Sequence, residues 1–349
     1  MGRAPPVPGT TRSPSAARPM EFDVFGIENP LIDLLATVSE EFLERQGLTK
    51  NTMVLVEQER FQALLAALSG TDIHPEPGGS CANTLLGIAQ LGGRTAYCGK
   101  AGRDDYGRLY VEKLRAAGVE PYIQTDGHLT GSTVILVTPD AARTMNTYLG
   151  ACQDLSPADL PLDALRASRW LYITGYLWDT PTQQEAALLA LRTAQEAGIP
   201  VAMSLSDPFC VGRHHADFVD ILRRYVTLVF ANREEALALT GQETAQEAYR
   251  ALRGWCGGAA VTLGAAGALA GEGEEMIYAE AVPVLPVDTT GAGDAFAAGF
   301  LYGKTTGASL LQCARLGNAF AAQVVQKMGP RLAGDVRALL ADVLERPRG

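Results

Sequence analysis

The sequence predicts an α/β protein with a doubly wound, mostly parallel central sheet, helices on both faces and a small β-sheet lid. From Phe22 onward, short runs of β-forming residues alternate with segments of helical length, which is the pattern of a parallel sheet covered by helices. The composition, 47% hydrophobic and 19% charged over 349 residues, is that of a globular chain. A second group of strand-like runs interrupts the alternation and predicts the lid.

The elements of the central sheet follow one another along the chain, beginning with a strand in FDVFGIE. Residues 181–197 predict a helix, because Thr180 suits the N-cap, Pro181 the first helical position and Gly198 the position just past the end. The later elements are a strand at 199–206, a helix at 214–224, a strand at 225–232, a helix at 233–240 and two strands within 258–272. This order predicts parallel strands joined by helical crossovers.

The lid is predicted from four strand-like runs that have no helix of their own. They are 31–38, 52–56, 132–138 and 143–149, the last two joined by a Pro-Asp turn. In open α/β folds, ligands bind outside the carboxyl ends of the strands, so a small sheet inserted there would cover the ligand.

The chain is predicted to hold one domain, at 21–330, with lid strands inserted at about 31–57 and 120–150. Residues 1–20 form a separate extension, expected to be disordered, with three arginines and no acid before Glu21 and no apolar segment typical of a secretory signal. Residues 331–349 are predicted to be a C-terminal tail.

Charge and cysteine usage exclude several classes of protein. The net charge of −10 argues against a general nucleic-acid binder, and no apolar run approaches the ~18 residues that a membrane span needs. The six cysteines are scattered, which indicates reduced thiols in a cytoplasmic protein, with a disulfide framework as the alternative.

The motif DTTGAGDAF at 288–296 carries the clearest chemical signal. Gly291, Ala292 and Gly293 stand at the start of a predicted helix, where small residues leave backbone N–H groups open to an anion. Asp294 in the same turn would repel a resting phosphate, but it suits a base that accepts a proton from a hydroxyl attacking that phosphate. The alternative is a plain capping aspartate on a glycine turn.

A second motif, GGSCANT at 78–84, precedes an apolar helix. Ser80 is the expected N-cap, and the paired glycines Gly78 and Gly79 allow a ligand close to the backbone. Asn83 would project a donor and an acceptor from the first turn, which suits a diol. A helix start with an exposed asparagine is the alternative.

Three further features are weighed on their own. Asp33 lies in a strongly apolar stretch after the first strand, where substrate hydroxyls would give its carboxylate a partner. Residues 299–305 resemble a phosphate-binding loop, but they have three residues between the glycines and fall within a predicted helix. His214 and His215 lack a third ligand at a recognisable spacing and are interpreted as solvated surface histidines.

Together the two motifs resemble the signatures of the ribokinase-like family of carbohydrate and nucleoside kinases. The first is GGSCANT followed by LGG and GKAGRDDYG, the second is DTTGAGDAFAAGF, and the resemblance runs from about Phe22 to Gly329. It implies a ribokinase-like doubly wound sheet with a β lid, ATP and Mg²⁺ as cofactors, and phosphorylation of a sugar or nucleoside hydroxyl.

Within the family, the chain is most similar to the adenosine kinase branch. The segments that carry this similarity are GIENPLID at 26–33, YITGY at 172–176 and LSDPF at 205–209, and Arg143 falls where that branch has an arginine facing the phosphate. Two departures stand out: Glu28 replaces a glycine of the family, and MNTYLGAC at 145–152 is more polar than expected over a purine base.

The resemblance also implies a role for each matched residue. The catalytic set has Asp294 as the base, an anion hole and a phosphate-facing arginine: Asp294, Gly291, Ala292, Gly293 and Arg143. The substrate set is Asn29, Asp33, Gly78, Gly79, Asn83 and Tyr176. The ATP set is Asn232, Glu235, Thr262, Gly264 and Asn318, with Glu235 acting on Mg²⁺ indirectly.

The function expected from this resemblance is transfer of the γ-phosphoryl group of ATP to the 5′-hydroxyl of adenosine. One alternative is a kinase of the same family acting on ribose, fructose or 2-keto-3-deoxygluconate. Another is a ligand sensor on a kinase scaffold that has lost its activity. The expected partner is a small nucleoside or sugar, with neither nucleic acid nor membrane, and a homodimer through the lid is the expected assembly if the chain is not monomeric.

Overall fold

Two sheets and their flanking helices make up the fold seen in the computed structural model, which describes residues 20–140 and 142–332 together with 336, 338 and 343. The predicted extension at 1–19 and most of the predicted tail lie outside the described residues. The strands are β1 Val24–Ile27, β2 Ile32–Thr37, β3 Met53–Leu55, β4 His74–Pro77, β5 Thr95–Gly102, β6 Val119–Asp126, β7 Ser132–Val137, β8 Arg143–Tyr148, β9 Leu171–Thr174, β10 Val201–Ser204, β11 Leu228–Asn232, β12 Gly258–Thr262, β13 Ala268–Glu272 and β14 Glu275–Ala279.

Helices lie between many of these strands along the chain. They are α1 Glu40–Gln46, α2 Gln58–Ala67, α3 Ser80–Gln90, α4 Asp105–Ala116, α5 Leu162–Arg166, α6 Pro181–Ala197, α7 Pro208–Arg213, α8 His215–Arg224, α9 Arg233–Thr240, α10 Ala245–Cys256, α11 Ala292–Thr306 and α12 Leu310–Val324. No helix in the part of the chain that the structure describes is long and apolar enough to cross a membrane.

The large sheet has nine strands in the order β14-β13-β12-β11-β10-β9-β1-β5-β6. It is parallel from β12 to β6, and the two pairs that β13 makes, with β12 and with β14, are antiparallel. The chain first builds outward from β1 through β5 to β6, then returns to the other side of β1 with β9. This reversal makes β1 the switch point of a doubly wound sheet and confirms the predicted fold class.

Two hydrophobic cores cover the two faces of this sheet. Successive residues of β1 point to opposite faces: Val24 packs into one core, with helices α3, α4, α11 and α12, and Phe25 into the other, with helices α5 to α10. The six cysteines, all within the described residues, form no disulfide with one another and are buried. The phosphate-loop look-alike at 299–305 lies within α11, so it is not a strand-to-helix loop.

The small sheet has five strands in the order β3-β8-β7-β2-β4. It contains the four strands predicted for the lid and one more, β4, whose sequence HPEP gives no strand signal because of its two prolines. The predicted second insertion, beginning at about 120, begins too early, since Val119–Asp126 is the edge strand of the large sheet and pairs with β5.

Candidate active site

The candidate site is a cavity of about 710 Å³ between the small sheet and the carboxyl ends of the strands of the large sheet. This is the location expected for a ligand at the switch point of a doubly wound sheet. Its walls include most of the residues singled out from the sequence: Asn29, Asp33, Gly79, Asn83, Tyr176, Asn232, Glu235, Thr262, Gly264, Gly291, Ala292, Gly293 and Asp294.

The N-terminus of α11 forms one wall of the cavity. Gly291 is its N-cap, with φ of 74°, a left-handed conformation that glycine adopts without strain. The first N–H groups of a helix lack partners within it, and the space where a side chain would stand on Gly293 is open. This turn therefore offers backbone donors and partial positive charge to an anion in the cavity.

Asp294 lies in the first turn of α11, with its carboxylate held by two side chains of α3. Its Oδ1 accepts a hydrogen bond from Ser80 Oγ at 2.5 Å, and its Oδ2 accepts one from Asn83 Nδ2 at 3.0 Å. Loss of surrounding water raises the pKa of Asp294 to about 6, while these two hydrogen bonds and the charge of Arg331 hold it down. The group is therefore ionised at neutral pH and close enough to neutrality to accept a proton.

The start of α3 differs from the prediction that Ser80 is its N-cap. The N-cap is Gly79, and Ser80 is the first helical residue. The Ser80 hydroxyl therefore does not cap α3 and donates its hydrogen bond to Asp294 instead. The side-chain acceptor comes from Glu28 instead, whose Oε2 accepts a hydrogen bond from the Cys81 N–H at 2.8 Å.

Glu28, the departure from the family pattern, is a buried acid at the edge of the cavity. Its Oε1 accepts a hydrogen bond from Thr174 Oγ1 at 2.6 Å, so the carboxyl joins the end of β9 to the start of α3. Burial raises its pKa to about 8, against the two hydrogen bonds that it accepts, and nearby Asp294 raises it further. At neutral pH Glu28 is largely uncharged.

Asp33 projects from β2 beside Gly78. A Cβ atom on Gly78 would lie 2.4 Å from the Asp33 carboxylate, so only glycine leaves room for that side chain. Burial raises the pKa of Asp33 to about 7, while Arg331 and Arg143 lower it. Asn29, buried at the end of β1, accepts a hydrogen bond from Gln183 through its amide oxygen.

Arg143 lies outside the cavity walls, in contrast to the phosphate-facing position expected for it. It begins β8 of the lid and pairs with Asp288, and the two side chains are only 14% and 5% exposed. Asp288 also accepts hydrogen bonds from the N–H of Thr290 at 3.0 Å and of Gly329 at 2.7 Å. In this conformation Arg143 joins the lid to the DTTGAGDAF motif.

Asn232 and Glu235 form a reciprocal cap at the start of α9. The Glu235 N–H donates to Asn232 Oδ1 at 2.8 Å, and the Glu235 carboxylate accepts from Asn232 Nδ2 at 2.6 Å and from its backbone N–H at 3.0 Å. Burial raises the pKa of Glu235 to about 7, opposed by the Asn232 N–H, with Asp207 and Asp294 adding to the rise.

The other residues predicted for ATP divide into two groups. Thr262 is the last residue of β12, Gly264 follows the strand, and both line the same cavity as Glu235. Asn318 does not line it: its amide donates to the backbone oxygens of Ala279 and Glu280, both at 3.0 Å. Its contacts in the structure thus fasten α12 to the end of β14.

His214 and its surroundings differ from the prediction of solvated surface histidines. The His214 side chain is 15% exposed and its Nε2 lies 3.0 Å from Oδ1 of Asp179, to which Arg213 also donates. Cys210 completes a compact group with Asp179 and His214. The sequence could not show this, because Asp179 comes from a different loop.

Arg331 is not among the residues that line the cavity, but it contacts one of them, and the sequence analysis missed that contact. The prediction placed it in the tail, yet its Nε donates to Asn83 Oδ1 at 3.0 Å. The sequence analysis did single out Ser80, but as the N-cap of α3 and not as a hydrogen-bond donor to Asp294. Neither interaction has a sequence signal, since each joins positions more than 200 residues apart.

The model of the pfkB family of carbohydrate kinases matches residues 47–335 of the chain. The chain belongs to that family. This confirms the resemblance drawn from the GGSCANT and DTTGAGD motifs, which lie within the matched residues.

Adenosine kinases and a sugar kinase are among the family members that the chain resembles. An adenosine kinase from Sinorhizobium meliloti is 41% identical, with a TM-score of 0.86 over 92% of this chain and 99% of that one. A probable sugar kinase from Rhizobium etli is 39% identical, with a TM-score of 0.87 over 93% and 99%. Yeast (Saccharomyces cerevisiae) adenosine kinase is 29% identical over 86% of this chain and 94% of its own.

Proposed function

We propose that this protein is an ATP-dependent kinase that transfers the γ-phosphoryl group to the 5′-hydroxyl of adenosine. The observation that carries the proposal is that a buried carboxyl group and the open first turn of a helix line one cavity. Asp294 and Gly291–Gly293 all line it, and the N–H of Ala292 donates to the carbonyl of Thr289 at 3.2 Å in this structure. A hydroxyl group and a phosphate brought together there meet a proton acceptor and a set of backbone donors.

Asp294 acts late in this mechanism. The pKa of an alcohol lies far above that of Asp294, which is about 6, so the carboxylate accepts the proton only as the bond to phosphorus forms. The amides at the start of α11 stabilise charge on the transferred group. Positioning and charge stabilisation therefore supply most of the rate, with Asp294 contributing about 10²- to 10⁴-fold.

The cavity offers polar groups suited to a ribose and apolar ones suited to a base. Asp33 and Asn83 both line the cavity, where the Asp33 carboxyl group could accept from a ribose hydroxyl and Asn83 could donate its second amide hydrogen. The lid contributes apolar side chains to the cavity, together with Asp33 and two threonines: Met53, Leu55, Thr133, Ile135, Met145, Thr147 and Leu149. A free sugar has no flat apolar group to cover these apolar side chains, whereas a nucleobase does, and Tyr176 adds an aromatic ring.

The lid sequence that looked too polar for a purine site fits this interpretation. In β8 the residues alternate, so Met145 and Thr147 line the cavity while Asn146 is buried on the other side. The polar residues of that stretch therefore do not all face the ligand.

ATP and Mg²⁺ fit the opposite end of the cavity. Thr262 and Gly264 would lie along the nucleotide, and Asn232 with Glu235 would hold the hydrated cation, since the buried Glu235 carboxylate retains lone pairs beyond those used in its cap. When bound, Mg²⁺ neutralises charge on the phosphates of ATP. Glu235 in turn is drawn toward its ionised form by a cation, as its raised pKa allows.

A sugar kinase is the second candidate, favoured by the 39% identity to the probable sugar kinase. The test is ADP formation with Mg²⁺ and ATP over adenosine, inosine, guanosine, ribose, fructose and 2-keto-3-deoxygluconate. We expect turnover that depends on adenosine and is lost in Asp294→Asn. Turnover on a free sugar with adenosine inactive would replace adenosine by that sugar, and no transfer to any acceptor would favour a ligand sensor.

The lid provides a matched pair of variants for the same assay. Met145→Gln places a polar group on the face that would cover the base, whereas Val54→Gln changes a residue of β3 that is 42% exposed and does not line the cavity. We expect Met145→Gln to raise KM for adenosine and Val54→Gln to leave it unchanged. Equal KM values in the two variants would count against a base beneath the lid.

A further inference from the structure

The segment that follows α12 folds back over the catalytic end of the cavity. The N–H of Gly329 donates to Asp288 at 2.7 Å, and a Cβ atom on Gly291 would lie 2.4 Å from that of Pro330. The carbonyl of Leu332 accepts a hydrogen bond from Gln90 Nε2 at 2.7 Å. Residue 331 is therefore held from both sides, by contacts of the preceding residues with the start of α11 and by the contact of Leu332 with the end of α3.

Arg331 uses this position to contact Asn83. Its Nε donates to Asn83 Oδ1 at 3.0 Å, and its Nη2 atom is inaccessible and makes no hydrogen bond within the described residues. Burial lowers the pKa of Arg331, while four acidic or phenolic neighbours raise it: Tyr110, Asp33, Glu76 and Asp294. A guanidinium keeps its charge even when burial lowers its pKa, so this is a cation enclosed among acids.

We propose that Arg331 is a positioning residue of the catalytic centre, which fixes the amide of Asn83 so that its N–H₂ group faces Asp294. An asparagine amide can be turned to exchange its oxygen and nitrogen. Turned the other way, Asn83 would oppose N–H₂ to the Arg331 donor and its oxygen to the Asp294 carboxylate. Arg331 thus determines which atom of Asn83 Asp294 meets, and this role in phosphoryl transfer rests on the proposed function.

The charge of Arg331 adds a second effect on the same group. The charged and titratable groups around Asp294, Asp33 and Arg331 include the following residues: Glu28, Glu76, Cys81, Tyr110, Arg143, Tyr172 and Glu235. Arg331 is the cation that lowers the pKa of both Asp294 and Asp33. Without it, both carboxylates are protonated at a higher pH, and less of Asp294 is free to accept a proton.

The test compares Arg331→Gln with Arg331→Lys. For Arg331→Gln we expect kcat/KM to fall about 10- to 100-fold and the acidic limb of its pH profile to move up by about one pH unit. Arg331→Lys keeps the positive charge but loses the planar guanidinium donor. We therefore expect its kcat/KM to fall, while the acidic limb of its pH profile stays near that of the unchanged protein. Arg169→Gln, an exposed arginine paired with Asp23, is the control that changes neither.

A double variant separates action through Asn83 from a general structural role. If Arg331 acts through that amide, Arg331→Gln combined with Asn83→Ala lowers kcat/KM much less than the product of the two single effects. If the loss of kcat/KM in the double variant equals the product of the losses in the two single variants, the proposal is wrong.

A measurement without substrate separates this proposal from the proposed function. The ¹³C signal of the Asp294 carboxyl, identified by its loss in Asp294→Asn, is titrated in the unchanged protein and in Arg331→Gln, each with its thermal unfolding recorded. We expect the midpoint to rise in Arg331→Gln. A folded Arg331→Gln with an unchanged midpoint would refute the charge effect, whereas absence of phosphoryl transfer by the unchanged protein would refute only the function.

Discussion

Replacing Asp294 by asparagine should make the protein more stable and nearly inactive. The substitution conserves shape, and the surrounding contacts accept it. The new Oδ1 can take the hydrogen bond from Asn83, which Arg331 holds in one orientation, and the new Nδ2 can donate to Ser80 once that hydroxyl turns to accept. The fold therefore loses no hydrogen bond, but the site loses its proton acceptor.

The gain in stability follows from the pKa of the carboxyl. Its rise from 3.8 to about 6 on folding means that ionised Asp294 lowers the free energy of unfolding, by about 3 kcal/mol at most, at about 1.4 kcal/mol per pH unit. This penalty is absent below pH 3.8, grows as the pH rises and is complete above about pH 6. Asparagine carries none of it, so the variant gains most at pH 8 and less at pH 5.

Two assays on the same sample test this reasoning. Thermal unfolding at pH 5 and pH 8 should give a Tm increase that is larger at pH 8, and steady-state turnover should fall about 10²- to 10⁴-fold with little change in substrate affinity. A Tm that falls at both pH values would refute the account of the buried carboxylate. Turnover near that of the unchanged protein would refute its role as the base.

Three further substitutions have defined outcomes. Gly291→Ala places a side chain at φ of 74° and against Pro330, so we expect about 1–2 kcal/mol less stability and a loss of kcat; unchanged urea unfolding would contradict this. Arg143→Ala leaves Asp288 nearly buried without its cation, so we expect a lower Tm than that of the unchanged protein; an unchanged Tm would contradict the pairing. Glu28→Gln removes a group with a pKa of about 8, so its Tm advantage over the unchanged protein should be larger at pH 9 than at pH 6; equal advantages would contradict that pKa.

Local sequence patterns predicted the large sheet and four strands of the lid. The helix at Pro181–Ala197 was found with its bounds because its first and last residues signal them, Pro181 at the start and Gly198 just past the end. The strand at His74–Pro77 was missed because prolines oppose strand formation unless tertiary pairing at an edge supplies the hydrogen bonds.

The turn at Gly291–Asp294 was predictable for a different reason from its surroundings. Gly291, Ala292, Gly293 and Asp294 are adjacent in sequence, so their chemistry is visible in one motif. The contacts that hold Asp294 join α3 to α11 and involve Ser80, whose local sequence context indicated a helix cap. Which of two roles a hydroxyl takes depends on what folds next to it, and only the tertiary structure contains that information.

The contacts of residues 329–331 also bear on protein synthesis. They join this segment to the motif before α11 and to the start of α3, yet residues 329–331 are translated after both sheets and after Asp294. A nascent chain that has folded both sheets on the ribosome still lacks the contact of Pro330 with Gly291 and the contact of Arg331 with Asn83. Under the proposed function, activity therefore appears only after this late segment has left the ribosome.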